Sequence, residues 1–110
     1  MADYTTDNIK SQMRKGLLEY CTLLCLSKGE AYTSEILTIL QQADLLVVEG
    51  TLYPLLSRMK TNGLLEYRWQ ESPTGPPRKY YKITATGEEV LKELNKEWGA
   101  ITASVNKMCG

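Results

Sequence analysis

The sequence contains no histidine, and its longest apolar runs, Leu23–Leu26 and Leu45–Val48, are only four residues long. The most common general base and a frequent metal ligand are therefore missing, and no glycine-rich phosphate loop follows a predicted strand. A membrane-spanning helix needs about 20 apolar residues, and the polar N-terminus has no signal-peptide core. We expect a cytoplasmic protein that is not an enzyme, uses no cofactor or metal and does not enter a membrane.

The sequence also has no net charge, because 13 basic residues balance 13 acidic residues. The charges are unevenly distributed, however. From Gly50 to Lys82 there are six basic and two acidic residues, a net charge of +4, whereas Thr84 to Gly110 carries −1. A local concentration of positive charge attracts a polyanion even when the whole chain is neutral. The central segment is therefore the candidate for contact with nucleic acid.

Cysteine is scarce, with three residues in the chain. Cys21 and Cys25 lie four residues apart in a predicted helix, on one face but in poor geometry for a disulfide. We interpret them as small apolar residues on a packed face, with thiol-based redox sensing as the alternative. Cys109, the penultimate residue, is expected to be a free thiol.

Periodic apolar residues predict four helices and one β-hairpin in a single domain. Asp7 is the expected N-cap of the first helix, Thr33 or Ser34 caps the second, and Thr86-Gly87-Glu88-Glu89 fits a capping box for the last. The approximate predicted helices are Asp7–Leu26, Thr33–Ala43, a third from Gly50 or Thr51 to Asn62-Gly63, and a fourth from Thr84 or Thr86 to Met108. The predicted strands are Leu64–Gln70 and Arg78–Ile83.

The third helix has one apolar side and one polar side. Pro54 is placed in its first turn, where a missing N–H costs no hydrogen bond. The second helix should direct Ile36, Ile39 and Leu40 inward. On the third helix the inward residues are expected to be Leu52, Leu55, Leu56 and Met59, and the opposite side carries Pro54, Ser57, Arg58 and Thr61.

The hairpin ends in a loop, predicted for Ser72–Pro77, that precedes the basic pair Arg78 and Lys79. An amphipathic helix fits the major groove of DNA, and a neighbouring basic hairpin can lie on the flanking backbone. The predicted fold class is therefore α+β, mainly α: a winged helix-turn-helix with a C-terminal dimerisation helix. A winged-helix module that binds protein instead of DNA is the alternative, and an acidic or apolar surface on the third helix would indicate it.

The last helix carries apolar residues at alternating intervals of three and four, a heptad pattern typical of helix pairing. A winged-helix domain of residues 1–83 already buries its helices against its own sheet, so the helix of residues 84–110 needs a second chain. We predict a homodimer in which the first helix shares the interface. The predicted interface residues are Met13, Leu91, Leu94, Trp98, Ile101, Val105 and Met108.

The chain resembles the PadR family of transcriptional regulators. The matching motifs are Glu49-Gly50-Thr51-Leu52-Tyr53-Pro54-Leu55-Leu56, Asn62-Gly63-Leu64-Leu65 and Gly75-Pro76-Pro77-Arg78-Lys79-Tyr80-Tyr81-Lys82-Ile83-Thr84 with Gly87. The single C-terminal helix resembles the smaller subfamily, whose dimers form through the first and last helices. The resemblance implies a transcriptional repressor. In some subfamily members a tryptophan from each chain sandwiches a planar aromatic ligand, and Trp98 stands at that position.

The expected partner is double-stranded DNA with an inverted repeat. Short polar side chains on the third helix allow close approach to base edges, while arginine and lysine neutralise phosphates. Tyr53 has an alternative role in packing at the domain edge, and Arg78 or Lys79 could instead pair with Glu66 or Glu71. The predicted DNA-binding residues are Thr51, Tyr53, Pro54, Ser57, Arg58, Arg78 and Lys79.

A planar aromatic small molecule is the second expected ligand, and the resemblance implies its site. The predicted ligand-binding residues are Trp98, Leu17, Glu19 and Tyr20. The alternative for Trp98 is an ordinary packing position in a dimer core, because a large aromatic side chain suits both roles.

Overall fold

A computed structural model of the chain describes residues 5–45 and 47–110. The fold is the predicted winged helix-turn-helix of class α+β followed by a long C-terminal helix. Its elements in chain order are α1 (Thr6–Leu26), β1 (Ala31–Tyr32), α2 (Thr33–Gln42), α3 (Glu49–Thr61), β2 (Leu65–Ser72), β3 (Gly75–Ile83) and α4 (Ala85–Cys109). The division into residues 1–83 and 84–110 stays a prediction.

The residues that cap three helices differ from the predicted caps, although α2 begins at Thr33 as predicted. Thr5, rather than Asp7, caps α1, and its hydroxyl oxygen accepts a hydrogen bond from the Asn8 N–H at 3.2 Å. Tyr32, rather than Thr33 or Ser34, precedes α2, and its N–H donates to the Glu35 carboxylate at 3.1 Å. The prediction of a capping box at Thr86 is wrong, because Thr84 caps α4 and its side chain accepts a hydrogen bond from the Gly87 N–H.

Helix α3 begins at Glu49, so Pro54 lies in its second turn and the predicted first-turn placement is wrong. A residue at this position normally donates its N–H to the carbonyl four residues earlier, here that of Gly50. Proline has no N–H, and that hydrogen bond is therefore missing from the exposed side of the helix. The C-terminal end agrees with the prediction: Asn62 caps it, and Gly63 adopts a positive φ of 80° that favours glycine.

Thr84 and Gly87 join the hairpin to α4. The Thr84 hydroxyl donates to the Gly63 carbonyl at 2.6 Å and accepts from the Gly87 N–H at 2.9 Å, while the Thr84 N–H donates to the Leu64 carbonyl at 3.1 Å. Gly87 is buried against this turn: a Cβ atom there would lie 2.2 Å from the Leu64 oxygen and 2.7 Å from Ile83 Cγ1. Glycine is therefore required for the close approach.

The sheet is antiparallel in the order β1-β3-β2. Its hairpin is longer than predicted, because β3 begins at Gly75 and the turn is limited to Pro73-Thr74. Gln70 pairs with Arg78 and Ser72 with Gly75, so two prolines of β3 oppose one residue of β2 in a bulge. Strand β1 pairs only with Tyr80 and Tyr81, which leaves the proline-containing end of β3 free of that neighbour.

The hydrophobic core lies between the helices and one face of the sheet. All four residues predicted to face inward from α3 are buried, as are Ile36 and Leu40 of α2, whereas the inward prediction for Ile39 is wrong because its side chain is 45% exposed. Tyr81 and Ile83 are also buried, and burial raises the pKa of the Tyr81 hydroxyl. Leu91 joins this core from α4.

The thiols of Cys21 and Cys25 are partly covered by the core, and all three cysteines are free. Burial raises the pKa of both thiols, and the Glu35 carboxylate adds to the effect at Cys25. A raised pKa lowers the thiolate fraction that oxidation requires, which favours the packing interpretation. In the part of the chain that the structure describes, none of the helices combines the length and hydrophobicity that crossing a bilayer demands.

Candidate nucleic-acid interface and dimer face

The exposed side of α3 carries all five predicted contact residues of that helix: Thr51, Tyr53, Pro54, Ser57 and Arg58. They divide between two grooves that flank the helix. The side chain of Tyr53 is 48% exposed, so its ring is available to a partner and is not confined to the domain edge. Since the buried side of α3 is wholly apolar, the sequence periodicity positions this polar side outward.

A groove of about 420 Å³ separates α3 from the β2–β3 hairpin, hereafter the wing. It brings Tyr53 and Ser57 together with both predicted wing cations and with the start of α2. Its lining residues are Tyr32, Thr33, Ser34, Tyr53, Ser57, Trp69, Arg78, Lys79 and Tyr81. Helix and wing therefore present one continuous polar and basic surface.

A second groove, of about 330 Å³, lies between α3 and α1. It contains the other three predicted contact residues of α3 and two charged residues of α1. Its lining residues are Lys15, Leu18, Glu19, Gly50, Thr51, Pro54, Leu55 and Arg58. Lys15 adds a positive charge beside Arg58, a neighbour that the sequence pattern did not indicate.

The wing cations lie against aromatic rings. The Arg78 guanidinium is 4.6 Å from the centroid of the Tyr32 ring, and the Lys79 ammonium is 4.4 Å from Tyr67 and 5.4 Å from Trp69. These cation–π contacts orient the charges without neutralising them. Within residues 5–45 and 47–110 neither cation forms a salt bridge, so the alternative pairing with Glu66 or Glu71 is absent.

Arg68 of β2, rather than Arg78 or Lys79, pairs with an acidic residue. Its guanidinium donates to the Glu30 carboxylate and lies 5.0 Å from the centroid of the Tyr80 ring. The hydrogen bond to Arg68 lowers the pKa of Glu30. The ion pair between Arg68 and Glu30 links β2 to the residue before β1. The positive charge of Arg68 is therefore balanced by an acid, unlike the charges of the two wing cations.

The aromatic pair of the predicted ligand site lies on α1 and α4. The rings of Tyr20 and Trp98 are 6.4 Å apart between centroids, and the Tyr20 hydroxyl donates to Asn95 Oδ1 at 2.5 Å. Leu17 is half-buried on α1. Glu19 lines the groove beside α3, and its predicted role beside Trp98 at a dimer interface stays a prediction.

The apolar stripe of α4 has two parts. Leu91 is buried in the core of its own chain and Leu94 is half-buried against it, so Leu91 is not accessible to a partner. Beyond them the stripe is exposed, and Met13 of α1 is exposed as well. The exposed members of the predicted interface are Met13, Trp98, Ile101, Val105 and Met108.

Several residues of the interface were missed from the sequence. Trp69 lines the groove beside α3, and Thr33 and Ser34 reach it from the start of α2. The alternation of Leu65, Tyr67 and Trp69 predicts that these three side chains share one face of the wing, but it does not show that the core ends after Leu65. Lys60, whose ammonium is 5.7 Å from the Tyr67 ring centroid, adds charge to the same face.

Residues 22–93 match the family described as "Transcriptional regulator PadR-like family". A PadR-like transcription factor from Bacteroides fragilis is 56% identical, with a TM-score of 0.78, and the match covers 92% of this chain and 98% of that one. A PadR-like transcriptional regulator from Bacillus cereus is 42% identical, with a TM-score of 0.78 and coverage of 88% and 95%. Bacillus subtilis PadR in complex with operator DNA, 23% identical, shares the fold with a TM-score of 0.65 over 71% of this chain and 45% of that one.

Proposed function

Because this chain belongs to the PadR-like family of transcriptional regulators, we propose that it represses transcription by binding double-stranded DNA as a homodimer. The observation that carries the proposal is the continuous surface formed by the polar side of α3 and the two wing cations Arg78 and Lys79. Bacillus subtilis PadR, a protein of the same fold, has been solved with operator DNA, which supports a role in DNA binding.

Helix α3 is proposed to enter the major groove. Its outward residues are short or hydrogen-bonding, so the helix can approach base edges closely, and Arg58 can donate to a phosphate or a guanine. Thr51 and Ser57 are the candidates for sequence preference. Neither acidic nor large aliphatic residues dominate this side, which disfavours the alternative of a module that binds only protein.

The wing is proposed to neutralise the phosphates that flank the groove. Arg78 and Lys79 meet this requirement because neither is paired with an acid among the described residues. A two-fold symmetric dimer would present two such units, so its operator should be an inverted repeat with half-sites about 34 Å apart or a small multiple of this. A dimer bound across a promoter would exclude the polymerase, which accounts for repression.

Replacing Arg78 tests the DNA contact. Arg78→Ala should weaken binding to every duplex. The slope of log Kd against log salt concentration should also decrease by about 0.9 for each protomer, because one phosphate contact is lost per wing. Binding is measured by fluorescence anisotropy of a labelled duplex selected from a random pool. Lys107→Ala, which removes a positive charge from the far end of α4, should leave the slope unchanged. An Arg78→Ala slope equal to that of the wild-type chain contradicts the wing assignment, and a chain that binds no DNA contradicts the function.

We further propose that a planar aromatic ligand releases the repressor from DNA. Two copies of Trp98, related by the dimer axis, would stack on both faces of such a ligand, and a positive charge on the ligand would add cation–π attraction. Release requires that the ligand prefer a dimer geometry with the wrong spacing between the two α3 helices, because equal affinity for both geometries shifts nothing.

The ligand proposal is tested with ethidium as a planar aromatic cation in the absence of DNA. Ethidium should quench the tryptophan fluorescence of the wild-type chain, with Trp69 as residual background. Trp98→Ala should abolish the quenching while dimer mass and DNA affinity are retained. Trp69→Ala is the matched control and should keep the ethidium response. Quenching that persists in Trp98→Ala, or no response of the wild-type chain to a broad set of such cations, contradicts the site.

A further inference from the structure

Trp69 is a large aromatic residue that the fold leaves uncovered. It lies on β2, on the face of the wing that continues from the core, and its side chain is 61% exposed, compared with 36% for Tyr67 two residues earlier. An exposed indole forgoes the stabilisation that burial of its large apolar surface would give. A partner that covers this ring would gain the stabilisation that the fold leaves unused.

The surroundings of Trp69 indicate the chemistry of that partner. Its ring lines the groove between α3 and the wing, where Tyr53 and Ser57 form the opposite wall and Arg78 and Lys79 supply positive charge. A backbone strand of DNA combines flat apolar sugar surface with regularly spaced phosphates. The groove offers a complement to both, because an aromatic face packs on deoxyribose while the cations meet the phosphates.

The orientation of the indole is fixed before any ligand arrives. The Tyr67 ring meets it edge-on, with centroids 6.2 Å apart and an angle of 90° between the planes. The Lys79 ammonium lies 5.4 Å from the indole centroid on the paired strand, and Trp69 and Lys79 are direct cross-strand partners. A side chain held in this way loses little conformational freedom on binding.

We infer that Trp69 contacts the sugar–phosphate backbone of the DNA strand that passes between α3 and the wing. This inference rests on the proposed DNA-binding function and adds to it a contact that carries no charge. It follows that Trp69 contributes to affinity at every salt concentration, whereas Arg78 contributes most at low salt. The contact should also be indifferent to base sequence, because deoxyribose is the same at every position.

The first test measures the accessibility of Trp69 to acrylamide, a neutral quencher, in a Trp98→Phe chain whose fluorescence comes from Trp69 alone. Anisotropy of a labelled selected duplex first establishes that this chain binds DNA. Saturation with the duplex should reduce the quenching constant of Trp69 several-fold. In the matched Trp69→Phe chain, the quenching constant of Trp98 should stay the same with and without DNA. A Trp69 that remains equally quenchable in the complex overturns the inference while leaving the proposed function intact.

The second test keeps Trp98 and therefore does not depend on the first variant. Trp69→Ala should weaken binding roughly ten-fold, the loss expected of one well-packed aromatic contact, with a salt slope equal to that of the wild-type chain. Circular dichroism melting checks that the variant is folded. If Trp69 only positions Lys79, Trp69→Ala should instead flatten the salt slope as Lys79→Ala does, and this result overturns direct contact. Unchanged affinity of a folded Trp69→Ala chain overturns it as well.

Discussion

Gly87→Ala is expected to destabilise the fold by about 3 kcal/mol, although an alanine in a helix normally gains about 1 kcal/mol over glycine. The new Cβ atom would lie 2.2 Å from the Leu64 carbonyl oxygen and 2.7 Å from Ile83 Cγ1. Removing this clash requires the backbone to move, because the nearer of the two atoms is a backbone oxygen. The loss should lower the melting temperature by roughly 10–20 °C in a domain of this size, as measured by circular dichroism.

Gly99→Ala is the matched control for this substitution. It lies in the same helix, and a Cβ atom there meets nothing within 4 Å in the chain. The control should therefore show the ordinary helix preference and unfold at an equal or slightly higher temperature. A Gly87→Ala chain that is as stable as the wild-type chain would show that the turn before α4 adjusts at little cost, contrary to the packing described here.

Ile101→Asp is expected to convert the proposed homodimer into folded monomers that no longer bind an inverted repeat. Ile101 is 47% exposed on its own chain, so the substitution spares the core, whereas Leu94→Asp would damage core and interface together. Burial of an unpaired carboxylate costs several kcal/mol, and two-fold symmetry applies the cost twice. We expect the dimer dissociation constant to rise by roughly a thousand-fold or more, measured by sedimentation velocity at micromolar concentration.

Ala103→Asp provides the control for the interface variant. Two residues along a helix correspond to a rotation of about 200°, which places Ala103 on the side of α4 opposite the stripe. This chain should remain a dimer and keep its affinity for DNA. A wild-type chain that sediments as a monomer, or an Ile101→Asp chain that stays dimeric, would contradict the interface.

The parts of the fold set by local periodicity could be predicted from the sequence. The inward residues of α3 follow from a spacing of three and four, and its end follows from Asn62-Gly63. The start of the same helix was misjudged because proline prefers the first turn, a preference that the surrounding packing overrides here. The composition also predicts a loop for Pro76 and Pro77, which lie in β3. The bulge that accommodates them depends on the pairing register of the two strands, and composition does not give that register.

The parts of the site that depend on distant pairing could not be predicted. Glu30 and Arg68 are 38 residues apart in the chain. The alternation of apolar and polar residues in β2 does not indicate which acidic residue pairs with Arg68. The position of Glu19 in the groove beside α3 depends in the same way on where α3 packs against α1. The role inferred for Trp69 was missed for a related reason: an alternating strand gives the face of a side chain but not the point where the core stops.

The contacts of Thr84 have a mechanical consequence. Thr84 forms hydrogen bonds to three backbone groups, two directly after α3 and one at the start of α4, so a rotation of α4 should carry α3 with it. A helix of 25 residues is about 37 Å long, and a tilt of about 5° moves its far end by about 3 Å. In the proposed homodimer, a small change in the crossing angle of the two α4 helices would thus alter the separation of the two α3 helices, and the stiffness of the contacts around Thr84 would set how much of that motion reaches α3.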